Sequence, residues 1–121
     1  MTKELIESII SYVTEYQTLD EYLQSENMTA EDFSEAEENG FIQEITCGTY
    51  NGVSDTFTPW NLTPENVAET IRIDMLETDF LNSYCYDDIL QPDSSIADQL
   101  DVYLGLYSIF TIGQRVYIER D

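Results

Sequence analysis

Leu106–Glu119, LYSIFTIGQRVYIE, decides the fold of this 121-residue chain. Leu106–Thr111 and Gln114–Glu119 are β-branched and aromatic runs, and Ile112-Gly113 lies between them. That pattern predicts a C-terminal hairpin. A rival reading starts the first strand at Val102. Upstream, Phe41–Tyr50 changes from helical to alternating period, with Phe41, Ile45 and Cys47 on one side and Ile42, Glu44 and Thr46 on the other. Asn51-Gly52 is a hairpin-turn dipeptide. Val53–Thr58 is the expected return strand, ended by Pro59-Trp60. Two hairpins give about four strands in a small, mainly antiparallel sheet.

The remaining segments predict about four helices. Leu5, Ile6, Ile9, Ile10, Val13 and Tyr16 recur at helical spacing, which predicts a helix over 3–17. Thr18-Leu19-Asp20-Glu21 is a capping-box pattern and restarts the helix as a short second piece. Thr29 pairs with Asp32 in another capping box, and Gly40 suits the left-handed residue that ends a helix. Thr63-Pro64-Glu65 starts a helix over roughly 64–82 along Val67, Ala68, Ile71, Met75, Leu76, Phe80 and Tyr84. Tyr84-Cys85-Tyr86-Asp87-Asp88 reads as a loop or fraying end. Pro92-Asp93-Ser94-Ser95 reads as a turn that caps a helix near 95–104, ended by Gly105. The expectation is one α+β domain over 1–121, with helices packed on the sheet.

Charge is the dominant feature of the composition. There are 25 acidic and four basic residues, a formal net charge of −21. No base lies between Lys3 and Arg72, or between Arg72 and Arg115. Such a surface repels nucleic acid and anionic membrane and attracts basic surfaces. Direct nucleic-acid binding and membrane association are therefore not expected, and no uncharged run is long enough to span a bilayer. An apolar fraction of 42% argues against disorder.

Catalytic types are scarce. The chain lacks histidine and has one lysine, Lys3, which removes the commonest general base and the Schiff-base amine. No Gly-rich phosphate loop or nucleophile elbow is present. We therefore expect no enzyme and no cofactor. Asp87, Asp88, Asp93, Asp98 and Asp101 are close in sequence but lack the EF-hand pattern, so no dedicated metal site is expected. Cys47 and Cys85 read as reduced core cysteines of a cytoplasmic protein.

The acids form groups without intervening bases: Asp20, Glu21 and Glu26; Glu31, Asp32, Glu35, Glu37 and Glu38; Asp74, Glu77 and Asp79; Asp87, Asp88 and Asp93; Asp98 and Asp101. Singly, each reads as a solvated surface acid. Together they depart from ordinary helix faces, which interleave signs. Neighbouring carboxylates on a helix lie about 5–6 Å apart, a spacing comparable with that of phosphates along a nucleic acid. Tyr84 and Tyr86 beside Asp87-Asp88 are candidate interface anchors, against a reading as core-edge cover.

In size, acidity and scarcity of bases, as in Glu31-Asp32…Glu35…Glu37-Glu38, the chain resembles the small DNA-mimic inhibitors of phages and mobile elements. These include anti-restriction proteins, anti-CRISPR proteins and glycosylase inhibitors. The resemblance is one of composition over the whole chain, and it implies behaviour rather than architecture. It implies a protein–protein interaction in which this chain occupies the basic DNA- or RNA-binding site of a host defence or nucleic-acid-processing protein. The competing readings are an immunity protein or antitoxin that neutralises a nuclease toxin, and a salt-adapted acidic interaction module. A homodimer would need a patch low in charge, for which the sequence offers Tyr107, Ile109 and Phe110.

Overall fold

The fold is built around the C-terminal hairpin. The computed structural model describes residues 1–85 and 90–120, and for 83–85 the backbone alone. β5 (Ser108–Ile112) and β6 (Arg115–Glu119) pair antiparallel around Gly113, whose φ is +59°. They are the two inner strands of a four-stranded sheet of order β1-β5-β6-β2. Ile109, Phe110 and Thr111 are buried in succession, so β5 is covered on both faces. This removes Tyr107, Ile109 and Phe110 as a low-charge surface for self-association: Ile109 and Phe110 belong to the core, and Tyr107 is half-buried.

The edge strand β1 (Val13–Tyr16) corrects the expected helix over 3–17. α1 (Lys3–Ile10) is capped by Thr2 and ends at Ser11. Val13–Tyr16 then pairs parallel with β5, which makes the sheet mixed. Val13 and Tyr16 fit a helical period and also alternate in a strand. In the structure they pack into different core clusters, as residues three apart in a strand must. The other edge is β2 (Ile42–Glu44), antiparallel to β6.

Two helical layers cover the sheet. On one face lie α2 (Leu19–Glu26) and α3 (Ala30–Glu38). Their Tyr22, Leu23 and Phe33 pack on Ile42 and Phe110. Phe110 stacks on Tyr22 at 4.3 Å between centroids and on Tyr117 at 5.5 Å. On the other face, α1, α4 (Pro64–Glu77), α5 (Phe80–Cys85) and α6 (Ile96–Leu106) enclose the larger core of Ile9, Ile71, Met75, Leu100, Tyr103 and Ile118 with their neighbours.

Among the described residues there are thus six helices rather than about four. The expected helix over 64–82 divides at Asp79, whose φ is +53°, a conformation Asp tolerates better than most residues. Thr63 caps α4 with Pro64 in its first turn, as expected. Ser95 caps α6, but that helix runs through Gly105. Of the two expectations for this stretch, loop or helix end, Tyr84 and Cys85 follow the second as the last residues of α5, while Tyr86, Asp87 and Asp88 lie outside the described residues.

Phe41–Tyr50 is not one strand. It serves two sheets, because the chain leaves β6 after Thr46, whose Oγ1 accepts the Val116 N–H at 2.9 Å. β3 (Gly48–Asn51) then pairs with β4 (Thr56–Pro59) in a separate two-stranded sheet. The hairpin is present but its turn is wider than Asn51-Gly52 alone. Asn51 Oδ1 accepts the N–H groups of Val53 and Ser54, and the left-handed residue is Asp55. Gly48 is required by close approach, since a β carbon there would lie 2.3 Å from the Thr58 carbonyl oxygen.

Candidate functional site

The helices α2 and α3 bring two of the acidic groups onto one face of the molecule. α2 starts at Thr18, whose hydroxyl accepts the Glu21 N–H. Asp20 and Glu21 occupy its first turn, and Glu26 is its last residue. Glu21 also accepts the Gln17 N–H at 2.8 Å. A left-handed Asn27 ends α2 and turns the chain into α3. There the capping box closes as expected, with Thr29 and Asp32 exchanging bonds of 3.1 Å. Gly40, at φ +79°, follows the cap at Asn39.

The apolar sides of both helices point into the same aromatic cluster, with the Tyr22 and Phe33 rings 5.7 Å apart. Their outer sides therefore share a surface. Asp20, Glu21, Glu26, Glu31, Asp32, Glu35, Glu37 and Glu38 are all exposed on it. A groove of about 340 Å³ along α3 is lined by Ala30, Glu31, Ser34, Glu35 and Glu38. Glu31, Glu35 and Glu38 are spaced so that they line up along one side of the helix.

These acids are not placed for stability alone. Asp20, Glu21, Glu31 and Asp32 sit at helix N-termini, where the dipole favours negative charge. Glu26, Glu37 and Glu38 sit at the C-terminal ends of α2 and α3, where it does not, and neither last turn carries a base. Glu77 ends α4 in the same unfavourable way.

The arginines are engaged with carboxylates of this chain. Arg72 pairs with Glu69 within α4 and holds its carboxyl below the usual range. Arg115 pairs with Glu44 at 2.8 Å across β6 and β2. Arg120 pairs with Asp74, bonds Gln43 and lies over the Tyr107 ring at 5.7 Å. None of these pairs involves an acid of α2 or α3.

The third acidic group does not hold together. Asp74 is 8% exposed and accepts hydrogen bonds from Tyr103 and Arg120, so it is a core group rather than part of a partner-binding surface. Helical spacing alone could have signalled this, since Asp74 follows Ile71 by three and precedes Met75 in the apolar stripe of α4. Glu77 is exposed, and Asp79 is exposed and accepts from Asn82 at 3.0 Å. Asp93, Asp98 and Asp101 are exposed before and along α6. They belong to the helical layer on the opposite side of the sheet from α2 and α3. Tyr84 is placed by its backbone in α5, and Tyr86, Asp87 and Asp88 are not described.

Glu119, which the sequence groups omit, adds to the α2–α3 field, whereas Glu44 is paired with Arg115. Burial pushes the Tyr22 phenol well above its ordinary range, and Glu119 and Glu26 push it further. Burial likewise raises Tyr117, with Glu44 and Glu37 adding to the effect. Strand alternation carries the signal: Tyr117 and Glu119 share one side of β6.

Burial and the bond to Asp74 raise the Tyr103 phenol even more. A raised tyrosine means that the folded state favours the neutral phenol. The stability this contributes is complete below about pH 10, the ordinary tyrosine value, and is lost as pH rises above it. Alkaline titration should therefore show phenolate absorbance from Tyr22 and Tyr103 appearing together with unfolding. Their ionisation in a chain with unchanged circular dichroism would contradict this packing.

A cavity of about 280 Å³ between the β2–β3 segment and α4 is lined by Gln43, Thr46, Cys47, Thr70, Asp74 and Glu77 among others. Its carboxylate Asp74 is occupied by Tyr103 and Arg120. Among the described residues no three His, Cys, Asp or Glu side chains converge to hold a metal ion, and no helix is long and apolar enough to cross a membrane. No family model matches the chain, and neither a curated protein nor a solved structure matches it.

Proposed function

We propose that this chain is a nucleic-acid-mimicking inhibitor that occupies the basic DNA- or RNA-binding site of a host defence or nucleic-acid-processing protein. The observation that carries the reading is the α2–α3 face. Eight exposed carboxylates share it with no base from either helix, and three of them stand at helix ends that disfavour negative charge. Ordinary surfaces avoid this arrangement, and local rules are broken most often where function demands it.

The mechanism follows from electrostatics. A protein that grips phosphates with Lys and Arg meets carboxylates at comparable spacing, and long-range attraction speeds their encounter. Each neutralised pair releases counterions, as on nucleic acid. Both helices are anchored on the sheet through Tyr22, Phe33 and Phe110, so the charges need little ordering on association.

Glu31→Gln, Glu35→Gln and Glu38→Gln together test the reading. The target is first recovered by the tagged chain from nuclease-treated lysate and identified by mass spectrometry. The triple variant should bind it at least about tenfold more weakly, equivalent to ~1.4 kcal/mol. Its melting temperature should be unchanged or higher, because like-charge repulsion is relieved. Unchanged affinity would remove α3 as the binding face.

A further inference from the structure

One exposed element departs from the charge pattern of the rest. The 20 residues from Ile45 to Pro64 contain a single charged side chain, Asp55, and its carboxylate accepts a hydrogen bond from Tyr50. This segment carries the β3–β4 hairpin. Tyr50 and Phe57 are cross-strand partners on one face of it, 62% and 49% exposed, and Val53 at its tip is 99% exposed. The hairpin is internally braced by Asn51 Oδ1 and by the Ser54–Thr56 hydroxyl pair at 2.7 Å.

We propose that this hairpin docks a second copy of the chain, hairpin against hairpin. Charge selects the occupant. Two bodies of net charge −21 repel wherever their carboxylates face each other, and the hairpin is where that repulsion is least. A basic partner would find almost no carboxylate here to pair with. The backbone also suits self-pairing. Both strands are edges, since among the described residues β3 and β4 pair with each other alone. Proteins usually blunt such edges with charge or proline, and β3, Gly-Thr-Tyr-Asn, has neither. A two-stranded sheet is marginal in water, and pairing with a second hairpin would extend it to four strands. An antiparallel edge is self-complementary, as a two-fold interface requires.

This proposal is independent of the inhibitor reading, and salt separates the two. Binding of a basic protein weakens as salt is added. Association of two like-charged copies strengthens, because salt screens their repulsion. Analytical ultracentrifugation of the full chain over a range of KCl concentrations should show a monomer–dimer equilibrium that shifts toward dimer with salt. Val53→Asp, and separately Tyr50→Ser with Phe57→Ser, should weaken it at least about tenfold, which is the order expected from one lost apolar contact. Hydrogen exchange on the unaltered chain provides a second reading that does not depend on any variant folding: the Gly48 and Tyr50 amides, which by the β3–β4 register point away from β4, should gain protection as dimer forms. A chain that stays monomeric at every salt and protein concentration would overturn the proposal. So would a dimer that weakens with salt, ignores folded variants or leaves those amides unprotected.

Discussion

Replacing Phe110 with alanine is expected to destabilise the protein by about 3–5 kcal/mol, the range for a large aromatic removed from a packed core. Phe110 is 3% exposed and lies between the stacked rings of Tyr22 and Tyr117, with Tyr16 edge-on at 6.3 Å. It is the sheet's main contribution to the layer that holds α2 and α3. Its loss opens a cavity and also removes aromatic pairs that each add about 0.5–1.5 kcal/mol beyond burial. Total stabilities of domains are about 5–15 kcal/mol, so the variant should be partly unfolded or strongly shifted in urea titration. The functional consequence follows from the same contact. The acids of α2 and α3 keep their relative positions because both helices rest on this cluster. A loss below ~1 kcal/mol would show that the layer does not depend on Phe110.

The second large effect is expected at Arg120. Arg120→Met leaves Asp74 with Tyr103 as its bonding partner inside the core. Removing one member of a buried ion pair strands the other charge and typically costs about 3–5 kcal/mol. Here the lower end applies, because the Asp74 and Arg120 side chains keep 10% and 21% of their exposure. Replacing the whole buried group, Asp74→Leu and Tyr103→Phe with Arg120→Met, should recover much of the loss, since apolar residues of similar size often replace a buried pair without penalty and Phe leaves no hydroxyl stranded where Tyr103 now bonds Asp74. Urea unfolding of the single and triple variants checks both statements. A single variant that loses under about 1 kcal/mol would class the pair with ordinary surface bridges. Arg120 also bonds Gln43, so this one side chain ties the end of the chain to β2 and to α4. The predicted loss is therefore one of global stability rather than local fraying.

Much of the architecture is legible in the residues. The caps at Thr18, Thr29, Thr63 and Ser95 are all formed, because each is a local bond between a hydroxyl and an N–H three residues ahead. The C-terminal hairpin is equally local, fixed by β-branched runs around Gly113. What sequence reading missed depends on distant partners. Val13–Tyr16 becomes a strand because β5, almost a hundred residues later, offers it an edge. The split of Phe41–Tyr50 between two sheets depends on where β6 begins. The break at Asp79 is a left-handed residue that the helical period alone does not reveal.

The candidate site divides in the same way. The exposed acids of α2 and α3 can be read from local sequence, because their neighbours Tyr22, Leu23 and Phe33 define the buried sides. Their assembly on one surface cannot, since it depends on both helices packing over Phe110. Asp74 shows the converse: counted among surface acids by its charge, it is buried because Arg120, 46 positions on, supplies its partner.

If the proposed function holds, nucleic acid and the α2–α3 face exclude each other from one site on the target. Competition tests this most directly. The target recovered from lysate is immobilised with this chain bound, and DNA or RNA of increasing length is added at constant salt. The account predicts that nucleic acid displaces the chain, that excess chain displaces nucleic acid in return, and that both affinities fall as salt rises. Simultaneous binding of the chain and nucleic acid to the target, with neither weakening the other, would contradict it.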